Sequence, residues 1–303
     1  MSELGSSTGA FLRLGSPYSD FEPARFAVVT LPCEATLGGR KGADRGPAAI
    51  CEASLGVEFF DEESFRSAVR FGISTLEPEV PKGGAEEIES WLQGYAGSLL
   101  REGKRVFWLG GEGSITFGLA RAYLNYYRSL SILHLDAHAN LRQSFQGERF
   151  GRMTVMNRLR NEVPIVQVGI RSLCEEEADL VDKGRVTTLF AHDIAERPLK
   201  AEVIPDICDS LTEHVFVNLD MSVFDPSLCP GTNLPVPGGL SWQTVCEILR
   251  AVARDRDIVG MDVVECVPIE GHPVTESVAA RMIYKVMGFL GHFRKWPAME
   301  VRT

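Results

Sequence analysis

Seven short apolar runs rich in β-branched residues punctuate the chain: "RFAVVTL" (25–31), "RVFWLG" (105–110), "LSILHLD" (130–136), "PIVQVGI" (164–170), "GRVTTLF" (184–190), "HVFVNLD" (214–220) and "DIVGMDVVE" (257–265). Most are followed by a stretch of helical period, such as "TFGLARAYLNYY" after the second run. Strands alternating with helices predict an α/β fold with a mostly parallel sheet covered on both faces. No Pro-, Gly- or Ser-rich linker interrupts residues 26–303, which read as a single domain, and residues 1–25 read as an N-terminal extension that could be mobile. The one long irregular stretch is "DPSLCPGTNLPVPGG" (225–239), whose prolines and glycines exclude regular structure and whose length suits a binding loop.

Four of the runs stop at conspicuous polar residues. They lead to Glu112, to Asp136 with His138 two residues on, to Asp220 and to Glu265. In open parallel sheets ligands lie beyond the carboxyl ends of the strands. A single carboxylate there is ordinarily a helix cap or a turn residue, but four directed at one edge call for a site. Asp136 and His138 fall on the same side of an extended segment, so "DAH" can offer an oxygen and an imidazole to one cation. His134 lies on that side too, one step inside the strand, where a satisfied core histidine is the ordinary expectation.

Composition narrows the classes. Of 303 residues 45% are hydrophobic, enough for one large α/β domain, and a net charge of −10 speaks against nucleic acid and anionic membranes as partners. No apolar run approaches membrane length, and the first 25 residues lack the basic start and apolar core of a signal peptide. Seven cysteines without a C-x-x-C pair fit scattered reduced thiols. A soluble, cytoplasmic protein is expected.

The turn "LGGEGSIT" (109–116) could cradle a phosphate at a helix N-terminus, yet Thr116 breaks G-x-G-x-x-G and Leu119 stands where a P-loop needs lysine. A different pattern accounts for it. "GADRGPAAICEAS", "VEFFDEES", "LGGEGSIT", "HLDAHAN", "VQVGIRS", "VNLDMSVFDPSLCPGTNLPVPGGLS" and "GMDVVECVP", in this order between Phe26 and Gly291, resemble the ureohydrolases, the arginase and agmatinase superfamily, and agmatinases most. The resemblance implies a three-layer α-β-α fold around a mostly parallel eight-stranded sheet. It also implies two Mn²⁺ ions that hydrolyse a guanidino group to urea and an amine, and assembly into trimers or hexamers.

The departures from that family are specific. Its first motif, Gly-Gly-Asp-His-Ser, would place a manganese-binding histidine where Gly113 stands. The Asp-Ala-His-x-Asp motif keeps Asp136 and His138 but has Asn140, and Asp-x-Asp keeps Asp220 but has Ser222. Three of six implied ligands survive. One metal position would fall to Gly113, Asp136, Asn140 and Asp220, the other to Asp136, His138, Asp220 and Ser222. Two carboxylates balance at most one divalent ion, so two Mn²⁺ are disfavoured and the cofactor is none or one ion, Mn or Zn. A bridging hydroxide would then be lost.

In "FGRMTVMNRL" the resemblance sets Gly151 and Arg152 at a Ser-His pair whose histidine serves proton transfer, a task arginine cannot perform near neutral pH. Pointing inward, Arg152 would instead pair with two of Asp136, Asp220 and Glu265 through parallel hydrogen bonds. Glu265 stands where the family receives the substrate guanidinium, and it could equally pair with Arg152. Three readings stay open. The first is a catalytically degenerate relative that binds a small guanidino or amine ligand or serves as an assembly subunit. The second is a mononuclear hydrolase of a guanidino or amide C–N bond, and the third is an active manganese agmatinase acting on linear amidines.

Overall fold

Each apolar run becomes a strand because its residues alternate between two buried faces. In the computed structural model, which describes residues 9–36 and 38–299, the eight strands of the central sheet are β1 (Phe26–Leu31), β2 (Ile73–Leu76), β3 (Arg105–Gly110), β4 (Leu130–Leu135), β5 (Ile165–Ile170), β6 (Val186–Phe190), β7 (His214–Asp220) and β8 (Asp257–Val264). On β1, Phe26 and Val28 face one layer while Ala27, Val29 and Leu31 face the other; on β3, Phe107 and Leu109 oppose Val106 and Trp108. That period-2 division buries both faces, as a parallel sheet requires.

Two helical layers cover them. α1 (Gly46–Ala53), α5 (Ile204–Ser210), α6 (Trp242–Asp255) and α7 (Val274–Phe293) pack on the first face, and α2 (Ala85–Arg101), α3 (Ile115–Tyr126) and α4 (Val155–Leu159) on the second. The result is the expected three-layer α-β-α fold. Every strand pair in the sheet is parallel, in the order β2-β1-β3-β8-β7-β4-β5-β6. The strands that lead to Glu112, Glu265, Asp220 and Asp136 are therefore the four adjacent strands β3-β8-β7-β4. Their register, Val263 beside both Leu109 and Leu219 and Leu219 beside Leu135, brings those four ends level.

β2 has no counterpart among the seven apolar runs. It is a four-residue edge strand paired only with β1, and only its first two residues are buried. The expected N-terminal extension lies partly against the domain. Phe11, Leu12 and Leu14 are buried in the first core, the Phe11 N–H donates to Thr75 Oγ1 at 3.0 Å, and Lys104 Nζ donates to the carbonyls of Phe21, Glu22 and Ala24. Residues 1–8 of that extension lie outside the described residues. All seven cysteines are free, and six are buried. Among the described residues no helix is long and apolar enough to cross a membrane.

Candidate functional site

The glycine turn after β3 is built by close backbone approach. A Cβ on Gly111 would lie 2.0 Å from the Cys33 carbonyl oxygen, so only glycine lets this turn dock on the end of β1. Glu112, the first of the four expected carboxylates, turns away from the others. It is wholly buried and accepts hydrogen bonds from the N–H groups of Ala35 and Thr36 and the hydroxyls of Thr36 and Ser114, at 2.7–3.1 Å. Its work is to hold the loop that follows β1. Gly113 faces the site: its N–H donates to Glu265 Oε1 at 2.7 Å, and a Cβ there would meet Arg152 Cβ and Glu265 Oε1 at an ordinary 3.6 Å. A side chain at 113 would thus point where the stem of Arg152 now lies.

Asp136 sits at the centre of a hydrogen-bond network. Oδ1 accepts from the His138 N–H (2.8 Å), His138 Nδ1 (3.2 Å) and Ser222 Oγ (2.8 Å), while Oδ2 accepts from His134 Nε2 (3.0 Å) and Asn140 Nδ2 (2.6 Å). Five donors meet a group with about four lone-pair sites, so the carboxylate is saturated. Burial alone would raise its pKa, but the hydrogen bonds from His134 and His138 outweigh burial and hold it well below the usual carboxylate range. The tautomer of His134 follows from its neighbours. Gln167 Nε2 donates to the Ala139 carbonyl at 2.7 Å and also faces His134 Nδ1 at 3.0 Å, so Nδ1 accepts and Nε2 carries the proton given to Asp136. Thr188 Oγ1 completes the chain on Gln167 Oε1.

The other two carboxylates are less well served. Asp220 accepts from the Ser222 N–H at 2.7 Å, and burial together with nearby Asp136 and Glu265 raises its pKa well above the usual range. Glu265 is pushed up to about 7 by burial, against the opposing pull of Arg152 and the Gly113 N–H. It also adopts a left-handed backbone, φ 63°, an uncommon conformation for a residue with a side chain and one concentrated at functional sites.

Arg152 points inward and is 6% exposed. The expected pairing with two carboxylates is corrected by its geometry. Nη1 donates to Glu265 Oε2 at 3.2 Å and Nη2 to the Gly38 carbonyl at 2.5 Å, and neither nitrogen bonds Asp136 or Asp220. The loop after β1 arrives over Arg152 and supplies the second acceptor, while Asp136 is already filled by its own ring of donors.

The structure thus gathers Gly113, Asp136, His138, Asn140, Arg152, Asp220, Ser222 and Glu265 around one pocket. Within it Asp136 touches His138, Asn140 and Ser222, Glu265 touches Arg152 and Gly113, and Asp220 takes the Ser222 N–H. The pocket keeps about 20 Å³, room for a single water. Among the described residues no three His, Cys, Asp or Glu side chains are grouped to hold one metal ion. Donor chemistry agrees: a hydroxyl, an amide NH₂ and a ring N–H occupy the Asp136 oxygens that a cation would need, so the residues present do not fit a binuclear centre.

Sequence reasoning did not single out Asn233, Gln167 or the Gly38–Gly39 turn as parts of the site. Asn233 is 4% exposed, lines the pocket, and has neither amide atom hydrogen-bonded to protein. Its place in the long Pro-Gly loop was the only available signal.

Residues 24–288 match the arginase family. The N(1)-aminopropylagmatine ureohydrolase of Thermus thermophilus is 36% identical over 293 residues, spanning 96% of this chain and 98% of the relative. An agmatinase of Bacillus anthracis is 29% identical over 277 residues, spanning 89% and 93%. Among solved structures, the agmatine ureohydrolase of Thermoplasma volcanium shares the fold with a TM-score of 0.83 at 24% identity, covering 90% of this chain and 92% of its own. Because one match runs through every strand, from the glycine turn to the glutamate after β8, this chain belongs to the arginase family of ureohydrolases.

Proposed function

We propose that the chain is a catalytically silent ureohydrolase relative whose site is held together by hydrogen bonds and one internal ion pair in place of two manganese ions. The saturation of Asp136 by five donors carries this reading. A cation at that position would have to displace Asn140 and Ser222, two neutral groups that repay its dehydration poorly. The Arg152–Glu265 pair supports the same conclusion from the other side: the relatives named above act on agmatine or its aminopropyl derivative, and here a guanidinium of the protein itself lies on the glutamate that would receive one. Of the two roles open to a silent relative, ligand binding outside the filled seat and service as an assembly subunit, the first has a cleft to support it. A cytoplasmic homo-oligomer, trimer or hexamer, belongs to the proposal.

The test is metal content after dialysis against Mn²⁺ or Zn²⁺, followed by urea release from agmatine, N(1)-aminopropylagmatine, arginine and 4-guanidinobutyrate. Fewer than one tightly bound ion per chain and no urea above background are expected. Two Mn²⁺ per chain with turnover would overturn the proposal, and one ion with turnover would favour the mononuclear hydrolase. The quadruple change Gly113→His, Asn140→Asp, Arg152→His and Ser222→Asp is expected to raise manganese binding to two ions per chain.

A further inference from the structure

Above the filled pocket a second cleft of about 340 Å³ opens, sharing His138, Asn140, Met153 and Leu234 with it. One wall is apolar, formed by Met153, Leu173, Leu234, Pro235 and Val236. The long Pro-Gly loop is fixed there by Arg171, which donates to the carbonyls of Val236 and Pro237 as well as to those of Ser222 and Phe224. A stapled loop gives the cleft a preformed shape.

The opposite wall carries one acid and one base, of which only the base is open to the cleft. Glu177 is 3% exposed and accepts the Leu141 N–H on Oε1 (2.9 Å) and the Cys174 N–H on Oε2 (2.8 Å), so it holds backbone and is largely covered from an incoming group. Arg142 is a third exposed, its Nε stands 3.7 Å from Glu177, beyond hydrogen-bond length, and its guanidinium lies over the Phe145 ring at 5.6 Å. No acceptor among the described residues takes a hydrogen bond from its side chain. Stacking keeps the planar fork in place with its donors unspent.

We infer that this outer cleft binds a small carboxylate with an apolar body, the carboxylate on Arg142 and the body along Leu173, Leu234, Pro235 and Val236. The inference rests on the reading that Arg152 fills the inner guanidinium seat, which ends the ligand at His138 and Asn140. Two parallel N–H···O bonds suit the free fork of Arg142, which is a third exposed, whereas the Glu177 carboxylate lining the cleft is 3% exposed and already holds two backbone N–H groups. Ligand preference in this cleft is thereby opposite in sign to that of an amine-tailed guanidino compound. Because the anchor is partly exposed, affinity is modest and weakens with added salt.

Hexanoate and hexylamine, equal in length and opposite in charge, are the probes. Titrated into the full chain at low ionic strength, hexanoate is expected to raise Tm and to bind at least about tenfold more tightly than hexylamine. Arg142→Gln should weaken hexanoate about tenfold and Arg142→Lys should recover part of the loss. Hexylamine binding as tightly as hexanoate, no binding of hexanoate, or hexanoate affinity unchanged in Arg142→Gln would overturn the inference. The probe pair is decided on the unaltered chain, so a misfolded Arg142 variant does not remove the test. Agmatine and 4-guanidinobutyrate serve as separate arms read for urea: urea from either would overturn the silent-site proposal, whereas the hexanoate result judges the cleft alone.

Discussion

Two clusters of acids in this molecule, each built round a buried carboxylate, manage their charge in different ways. On the helical face, Lys285 of α7 is 2% exposed and its Nζ meets Asp61 Oδ2 at 2.7 Å, Glu63 Oε1 at 2.9 Å and Glu62 Oε1 at 3.0 Å. The surplus negative charge is let out to water, since the Glu62 side chain is 61% and Glu63 35% exposed, and Arg281 and Arg250 add a cation to each. At the sheet edge Asp136, Asp220 and Glu265 are all buried, and of these three acids Arg152 bonds only Glu265. The first arrangement is what a stabilising network looks like. The second is costly by the same measure, and its cost is concentrated where four adjacent strands deliver their ends.

The contrast can be broken by removing each cation in turn. Lys285→Met is expected to have the larger effect, about 4 kcal/mol in chemical denaturation. Asp61 is buried and depends on the Lys285 bond, with the Ser64 N–H, to keep its pKa below the usual range, and Glu62 and Glu63 beside it lose the same cation, so three adjacent carboxylates are left facing one another once the lysine is gone. Arg152→Ala should cost less, about 2 kcal/mol at neutral pH, although it too breaks a buried pair. Glu265 already titrates at about 7 and can take up a proton when its partner leaves. An Arg152→Ala loss equal to or above that of Lys285→Met would show that Glu265 stays charged and that the two clusters are built alike.

Much of this architecture was legible in the sequence, for a physical reason. Strands buried on two faces must be apolar throughout, so seven of the eight announced themselves, and polar residues at their ends could only lie on the sheet edge. β2 escaped because an edge strand of four residues, half of it accessible, needs no such run. Within the site, Asp136 and His138 meet on the side their spacing implied, and Ser222 joins them where the family resemblance set it. The direction of Glu112 was not readable, because a tight turn breaks the two-residue parity that assigns sides along a strand. The partner of Arg152 was not readable either: Gly38 belongs to a loop 114 residues earlier whose path depends on Glu112 gripping Ala35 and Thr36.

Acidity separates the clusters a third way, with opposite signs. Glu265 has a folded pKa raised from 4.5 to about 7, so the stability it lends is full below pH 4.5 and is lost as pH rises toward 7; Asp220 shifts in the same direction. Asp61 is lowered, so its contribution is present above its ordinary pKa of 3.8 and disappears as pH falls below that. Between pH 5 and 8 the sheet-edge acids should therefore make the protein less stable as pH rises, in the same direction as Asp262 inside β8, which burial raises to about 7. Glu265→Gln should flatten that slope, reducing the change across the window by about 1 to 2 kcal/mol. Urea denaturation at matched ionic strength measures it, and a slope unaffected by Glu265→Gln would place the titration on another group.

The smallest effect expected is at Asn233, and it probes whether the sheet edge is tuned for stability at all. Both amide atoms of Asn233 are buried without a protein partner, whereas Asn140, another amide in the pocket, donates to Asp136 at 2.6 Å. Burying an unpaired amide costs about 1 to 3 kcal/mol, so truncating it removes that cost while giving up packing of similar size. The backbone is unaffected in kind, since the Asn233 carbonyl still accepts from the Arg40 N–H at 3.2 Å. Asn233→Ala should consequently fall within about 1 kcal/mol of the parent, on either side, while Asn140→Ala, which strips a donor from a charged and saturated carboxylate, should lose about 1.5 to 3 kcal/mol. Equal losses in the two variants would mean that Asn233 is as firmly bonded as Asn140 and that the pocket is a finished structural network; the unequal outcome leaves Asn233 as a polar group held ready over a site that the rest of the protein has closed.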